Sequence, residues 1–541
     1  MTIQGLRKPG IIVLLLCALM MTFTLSSAAP TLAQGPCAAM APGSDGAIPV
    51  SCYIDLADAV RRTPAHMDAA AQQEALAPAA AVPTLPFRPT VSAAEYARLK
   101  ANAGARAPGQ TKLDAAASQG AAPDAAAPLT PVTVGPNFAG ASQNGLFPPD
   151  THGAVGATQF VEVTNSQIHV YPKAGGAPTI RSLATFYGYT AQTLFDPRVA
   201  YDPIWKRWIV LSDARPESST VQRNFLAISQ TSNANGAYWI YNFDVEFGTS
   251  NFWDYPQLGF DQDAIIITAN IFPASGAPAA AELSIAKARL YNGLGWSVPV
   301  FRGLIPTLAP PIVLDQNPSS FLIAASPSGT VLRKYTLTNS SRINPTLTGP
   351  VSITVPAYTV PPNAPQPGTA QVLDTSDSRF VNASTQIGNL LWQVHTVALG
   401  GFAAPKAYRI NTSTNTQINA FFFATGTSDD FNASIAANSS NGVFVTWSAT
   451  DTNTRPQVRA AACAAQGAVA GLCNFATDDV ALTTSPASLT GNFQASFGSQ
   501  RWGDYSAVSI DPANSKRAYV VNERVPVAGS WGSQIGAITL P

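Results

Sequence analysis

The chain has 541 residues, with 31 basic side chains balanced by 31 acidic ones and only 11% of positions charged. There is no field of either sign to gather nucleic acid or an anionic membrane surface, so both partners are disfavoured from the outset. The 44 prolines and 39 glycines, with many Asn, Ser and Thr, fit an extracellular β-protein whose loops are made from turn formers.

At the N-terminus, Arg7 and Lys8 precede the apolar run Ile11 to Leu25 and small residues ending in Thr31-Leu32-Ala33. This is the pattern of a secretory signal peptide, residues 1–33, cut after Ala33. The run is shorter than the ~20 residues needed to cross a bilayer. A secreted protein is expected, extracellular or at the cell surface and clear of the membrane after cleavage; an uncleaved anchor is the alternative. Cys17 lies inside the apolar run, and Cys37 follows Gln-Gly-Pro, so neither is placed like a lipoprotein cysteine. Cys37, Cys52, Cys463 and Cys473 remain. Short loops suggest pairing Cys37 with Cys52 and Cys463 with Cys473, although spacing alone does not fix connectivity.

Residues 34–135 are dominated by Ala and Pro, as in Ala77-Pro78-Ala79-Ala80-Ala81. Such a stretch buries little apolar area and reads as a largely disordered tail and linker. One short helix is expected over Ser92 to Asn102, with Ser92 as N-cap and Glu95 at the capping-box position.

From about Val132 the texture changes to strands, and residues 136–541 read as one domain. Phe160 to Thr164 and Gln167 to Tyr171 form a hairpin whose Val161, Val163, Ile168 and Val170 share one face; His169 alternates away from it and is expected at a solvated position. Next comes the stretch that organises the rest: Phe195-Asp196-Pro197-Arg198-Val199-Ala200-Tyr201-Asp202, then Trp208-Ile209-Val210-Leu211-Ser212. An Asp at a turn, a short alternating segment, a second Asp or Asn and a β-branched run recur after Asp150, Asp254, Asp430 and Asp504 and near Arg379. A weaker copy runs through Pro311-Ile312-Val313-Leu314-Asp315, where Ala309 stands in place of the leading Asp.

Seven copies spaced by about 56 residues signal repeated supersecondary units that share a core. Between Asp196 and Trp253 four short strands fit, at Val199–Tyr201, Trp208–Ser212, Phe225–Ser229 and Tyr238–Phe243, and the same count holds in the third and fifth copies. Four strands per repeat describe a propeller blade. The expected fold is therefore all-β, a seven-bladed β-propeller with six blades as the runner-up. The final strand Gln534 to Leu540, or Val132 to Val134, would close the ring and leave no exposed central edge.

Pro148-Pro149-Asp150-Thr151-His152-Gly153-Ala154-Val155-Gly156, Asp196-Pro197-Arg198-Val199, Arg207-Trp208 and Arg501-Trp502-Gly503-Asp504-Tyr505-Ser506 resemble a group of exported bacterial proteins with sialidase-like propellers. The likeness covers roughly residues 136 to 541. The wider sialidase superfamily implies turns of the form Ser-x-Asp-x-Gly-x-x-Trp, an arginine triad for a carboxylate and a Tyr/Glu nucleophile pair. No such turn is present in this chain.

In a propeller, the turn entering each innermost strand lies at the mouth of the central channel, so Asp150, Asp196, Asp254, Asp430 and Asp504 are candidates for a shared cation or sugar-hydroxyl site. The plainer account has each Asp capping its own turn. Arg198, Arg379 and Arg501 sit beside the same turns and could clamp an anionic ligand, with Tyr505 as nucleophile and Glu523 as its base in a retaining glycosidase. Salt bridges between blades are the duller reading. The four histidines, His66, His152, His169 and His395, lack zinc spacing. Ser506 is not in a nucleophile elbow, and Gly293-Leu294-Gly295 is too poor a match for a phosphate loop. The tryptophans are more simply core than sugar platforms.

The function this supports is non-catalytic binding of an extracellular glycan, peptide or protein at the channel mouth. A sialidase-like glycoside hydrolase is the alternative, and a structural surface or matrix protein the second. No cofactor is expected, with Ca²⁺ left open.

Overall fold

The run Ala264-Ile265-Ile266-Ile267-Thr268 has no polar side to offer water, so a strand made from it must be covered on both faces. The structure, a computed structural model, does this. Ile265 and Ile267 pack with Ile209, Leu211, Leu226 and Ile228 on one side, while Ile266 packs with Leu322, Ala324, Tyr335 and Leu337 on the other.

The structure describes residues 42–62, 85, 87–106, 109–118, 132–143, 146–248, 250–464, 479–494 and 497–540. All lie in one compact unit, Pro36–Pro541. Residues 1–33, read above as a signal peptide, fall outside the described residues. No described helix is long and apolar enough to cross a membrane.

The fold is all-β, and its strands fall into successive antiparallel meanders. Meander 1 has strands His152–Val155, Gln159–Thr164, Gln167–Pro172 and Thr179–Ser182. Meander 2 has Leu194–Asp202, Arg207–Ala214, Arg223–Ser229 and Tyr238–Asp244, and meander 3 has Phe252–Phe260, Ala264–Phe272, Ala279–Ala286 and Trp296–Leu304. Meander 4 consists of Pro311–Val313, Ser319–Ala325, Gly329–Thr338 and Thr346–Tyr358, and meander 5 of Ser384–Ile387, Leu390–Leu399, Phe402–Asn411 and Thr416–Phe421. Meander 6 runs through Asp429–Ala437, Val443–Thr450, Gln457–Cys463 and Val480–Thr484. Meander 7 takes Ala507–Ile510, Arg517–Val527 and Ser530–Thr539 from the C-terminal end and Thr133–Ser142 from far upstream, with Val134 opposite Ile538.

Each sheet packs on the next through a buried apolar layer. Val161, Val163, Ile168 and Val170 meet Val199, Trp208 and Val210, Trp392 and Val394 meet Val445 and Trp447, and Phe444 and Ala460 meet Val520 and Ile538. Val521 and Ile535 of meander 7 then pack on Val155 and Phe160 of meander 1, so the last sheet covers the first. The first strands are neighbours in the same order, and that of meander 7 lies beside that of meander 1.

Meander 4, the weak copy in the sequence, is also the irregular one. Its three-residue first strand pairs in parallel with the first strands of meanders 3 and 5, Ile312 opposite Phe260 and Pro311 opposite Ser384. It touches its own sheet through the bridge between Ala309 and Ile323. Gly259 permits this approach, since a Cβ there would lie 2.4 Å from the Pro311 carbonyl oxygen.

The N-terminal region departs from the tail expected of its composition. Cys52–Leu56 adds a fifth strand to meander 3, Ile54 opposite Val298, and Val60–Arg62 adds one to meander 2. The helix is present as Ala93–Ala103, and Ser92 Oγ caps it by accepting from Glu95 N at 3.2 Å. The Glu95 carboxylate accepts from Arg98. A second helix, Lys112–Ser118, follows. Residues 63–84 and 119–131 lie outside the described residues. Cys37 and Cys473, the expected partners of Cys52 and Cys463, lie outside the described residues, so both disulfides stay an expectation.

His169 also departs from expectation: it is 3% exposed and bonds Gln167 and Tyr171. The face away from the valines is covered by meander 7, and alternation therefore does not lead to solvent. Leu226, with no exposed surface, is a fair probe of this two-sided packing. Leu226→Ala should destabilise the chain by about 2–5 kcal/mol, whereas Ile343→Ala, at a position 68% exposed, should stay within about 0.5 kcal/mol. Urea unfolding of both variants measures the contrast.

Candidate functional site

The first strands open with an unusual backbone. Asp150, Asp196, Tyr255 and Asn432 have φ of 47°, 50°, 59° and 51°, in the left-handed region that Asp and Asn tolerate and Tyr rarely adopts. In meanders 2, 3 and 6 this residue sits in a bulge, between Phe195 and Arg198, Asp254 and Gln257, and Phe431 and Ser434. A bulge re-aims the side chains beside it. Here it turns polar groups towards the end of the ring where the first strands converge.

Asp150, Asp196, Asp254 and Asp504 are brought together around one small cavity, whose wall also includes Arg379, Arg501, Arg88, Arg215 and Phe252. The centre of a water molecule has about 20 Å³ available there, room for about one water and too little for a sugar ring. Among the described residues no group of His, Cys, Asp and Glu has the arrangement to hold a metal ion.

The carboxylates are knitted into the sheets. Asp150 accepts from Asn165 Nδ2 and from Asp504 N, each at 2.6 Å. Asn165 Oδ1 accepts from Asp196 N at 2.7 Å, and Tyr505 donates its hydroxyl to Asp196. Meanders 1, 2 and 7 are thereby tied together at one point. Burial and the charge of Asp504 push the Asp150 carboxyl up to about 7. Burial and the charges of Asp150, Asp254 and Asp504 hold that of Asp196 well above the usual range. Asp254 is raised by burial, which outweighs the opposing effect of Arg88.

The arginines are committed to protein partners. Arg379 is bidentate to Asp377, at 2.8 and 3.0 Å, and Arg501 pairs with Asp504. Arg198 does not line the cavity: it donates to the carbonyls of Pro256 at 2.8 Å and Val381 at 3.0 Å and lies 3.3 Å above the Tyr505 ring. His152, outside the cavity lining, bonds Asn382 Oδ1 through Nε2 at 2.9 Å while its Nδ1 accepts from Val199 N. Burial and Arg198 push this imidazole down to about 3, so it is neutral. Asn432 donates to the Tyr505 carbonyl at 3.1 Å, and Ser434 and Ser506 share a hydroxyl contact at 2.7 Å. Side chains fill the place where a channel was expected.

Asp430 stands apart from the other carboxylates. It is fully buried, accepts from Trp447 Nε1 and Ala424 N at 2.8 Å each, and pairs with Lys112 of the second helix. It anchors the N-terminal region. Tyr505 and Glu523 do not line the cavity either, and neither has exposed surface. Glu523 accepts from Gly503 N at 2.8 Å, leaving Oε1 without a partner, and burial holds its carboxyl well above the usual range. Trp208, Trp253, Trp392, Trp447 and Trp502 are buried core; Trp205 is 51% exposed.

Leu85 and Arg88, which sequence reasoning left in a tail, line the cavity. Leu85 N donates to the Phe147 carbonyl at 2.6 Å, Arg379 donates to the Arg88 carbonyl at 2.9 Å, and Arg88 reaches Asp254 at 3.3 Å. Phe87 packs against Tyr96 and Phe497, with the Arg379 guanidinium 4.5 Å from its ring centre. Lys100 of the helix bonds Thr375 at 2.8 Å. The available signal was Phe87-Arg88, a large aromatic and a cation inside a run of small residues.

No family model matches the chain, and no curated protein matches it. Similar solved structures include an exo-β-1,3-galactanase from Phanerochaete chrysosporium, 14% identical over 60% of this chain and 80% of that one, TM-score 0.30. A Synechocystis apocarotenoid oxygenase is 10% identical over 59% and 69%, TM-score 0.36. A subtype N10 neuraminidase-like protein of A/little yellow-shouldered bat/Guatemala is 8% identical over 59% and 96%, TM-score 0.34. These similarities are weak, and no activity follows from them.

The raised carboxyls give a pH signature. Because the folded Asp150 pKa, about 7, lies above the unfolded value of about 3.9, the folded chain keeps a proton that the unfolded chain has released. Its contribution is complete at acid pH and fades as pH rises from about 4 to about 7, with a slope of at most about 1.4 kcal/mol per unit. Asp150→Asn should flatten that part of the stability profile, read from urea midpoints between these limits.

Proposed function

We propose that the seven meanders are the blades of one secreted, seven-bladed, sialidase-like β-propeller, and that it binds an extracellular ligand without transforming it. The ligand class is glycan, peptide or protein, and its site is the end of the ring that carries Asp150, Asp196, Asp254 and Asp504. The observation that carries this reading is the commitment of the charged groups: Arg379 and Arg501 are held by Asp377 and Asp504, and Tyr505 donates to Asp196. A retaining hydrolase needs its nucleophile and acid on an open wall beside the sugar. Tyr505 and Glu523 are both sealed from solvent. Burial also raises the Tyr505 hydroxyl far above its usual range, the opposite of an activated nucleophile.

A glycan array and a pull-down with the secreted chain test binding. Purified protein on a panel of aryl glycosides, beside Tyr505→Phe, tests hydrolysis. The expected result is no turnover by either protein; turnover abolished by Tyr505→Phe would replace the binding reading with the hydrolase.

A further inference from the structure

The cavity is walled by four carboxylates, and the cations that reach it are held in different ways. Arg379 and Arg501 are 3% and 2% exposed and fixed by neighbours two or three residues away in sequence. Arg88 comes from a separate part of the chain and makes one ion contact among the described residues, Nη1 to Asp254 Oδ2 at 3.3 Å. Its guanidinium lies 4.0 Å from the centre of the Phe252 ring, and its side chain stays 32% exposed. Phe252 in turn stacks on Phe195, the rings 8° from parallel.

The backbone around Arg88 is held as a bound peptide would be. Leu85 donates to Phe147 and accepts from Gln494 Nε2 at 3.3 Å, and the Arg88 carbonyl accepts from Arg379. The wall keeps unused polar capacity: Asp504 is 8% exposed with Oδ1 unpartnered among the described residues, and Arg501 Nε is unpartnered among them as well. A buried carboxylate oxygen without a donor is costly and points to a group that the site can still take.

We propose that this end of the ring binds the arginine side chain of a peptide, and that Phe87-Arg88-Pro89 occupies the site in cis. The inference rests on the ligand-binding reading above and names its chemistry. A planar guanidinium can lie flat on Phe252 while donating in a fork to carboxylates, which a lysine ammonium does less well. The small space left beside Arg88 means that an incoming arginine must displace the resident one. Burial, with neighbouring carboxylates adding to it, raises the Asp150, Asp196 and Asp254 carboxyls, and a cation seated beside them favours their ionised forms.

The test uses the full chain, Arg88→Ala, and Arg88→Ala combined with Asp254→Asn. The probes are acetyl-Phe-Arg-Pro-amide and the same peptide with uncharged citrulline, titrated by calorimetry. Arg88→Ala should bind the arginine peptide about tenfold or more tighter than wild type, whose site is competent only when its own arginine is out. Asp254→Asn should weaken that binding again, and citrulline should bind neither protein. No binding to Arg88→Ala, or equal binding of the two peptides, overturns the proposal. Should Arg88→Ala fail to fold, amide hydrogen exchange of the wild-type chain decides: saturating arginine peptide should speed exchange across residues 87–103, and unchanged exchange overturns the proposal. Glycan binding without peptide binding would sink this inference and leave the ligand-binding reading standing; failure of both assays would remove both.

Discussion

The structure depends on burial of both faces of each sheet. A four-stranded meander alone exposes two apolar surfaces, and only neighbours on either side remove both from water. Stacking in a line would leave two outer faces wet. Here meander 7 covers meander 1, and its outermost strand, Thr133–Ser142, is drawn from the far end of the domain. That one strand joins the first and last described parts of the β region, so closure and covalent order support each other.

Two-sided burial leaves the convergent inner strands with a different task. Polar side chains there are out of reach of bulk water and must find partners in the protein. Asn165 does so by bonding both Asp150 and Asp196, and Arg198 by bonding the carbonyls of Pro256 in meander 3 and Val381 just ahead of meander 5. At the end carrying the four Asp residues, partnering is incomplete. Asp504 Oδ1, Arg501 Nε, Arg198 Nη2 and Glu523 Oε1 are buried without partners among the described residues, close to the left-handed Asp150, Asp196 and Tyr255. Backbone strain and unused hydrogen-bonding capacity gather in the same few residues, as they do where a protein keeps a site in reserve.

Much of this was legible in the sequence because the same constraint writes it. Continuous β-branched runs such as Ile265-Ile266-Ile267 signal strands covered on both sides, and the strands expected between Asp196 and Trp253 lie within those observed. In meanders 2, 3 and 6 the recurrent Asp stands in or just before the bulge that enters the inner strand. His169 was misplaced because alternation assigns a face without saying whether that face meets water. Asp430 looks like its counterparts locally, and what separates it is Lys112, more than 300 positions upstream and invisible to spacing. The N-terminal region was misread because composition averages over its residues, while docking is decided by a few large ones, Phe87 and Tyr96 among them.

What separates an occupant of a site from a part of its wall is how it is held. Arg379 and Lys112 have almost no exposure and close partners, and removing either would strand a buried carboxylate, so they belong to the scaffold. Among the described residues Arg88 has a single long ion contact, and a third of its side chain is in water, a geometry in which an ion pair contributes roughly 0–1 kcal/mol. Its aromatic contact adds a similarly modest amount. The rest of the hold on residues 87–106 comes from the Arg88 carbonyl, which accepts from Arg379, and from Phe87, Tyr96, Lys100 and Arg106, which dock outside the cavity. The segment is therefore anchored beside the site and only lightly engaged within it, the division needed if the cover is to stay attached while its arginine is exchanged for another.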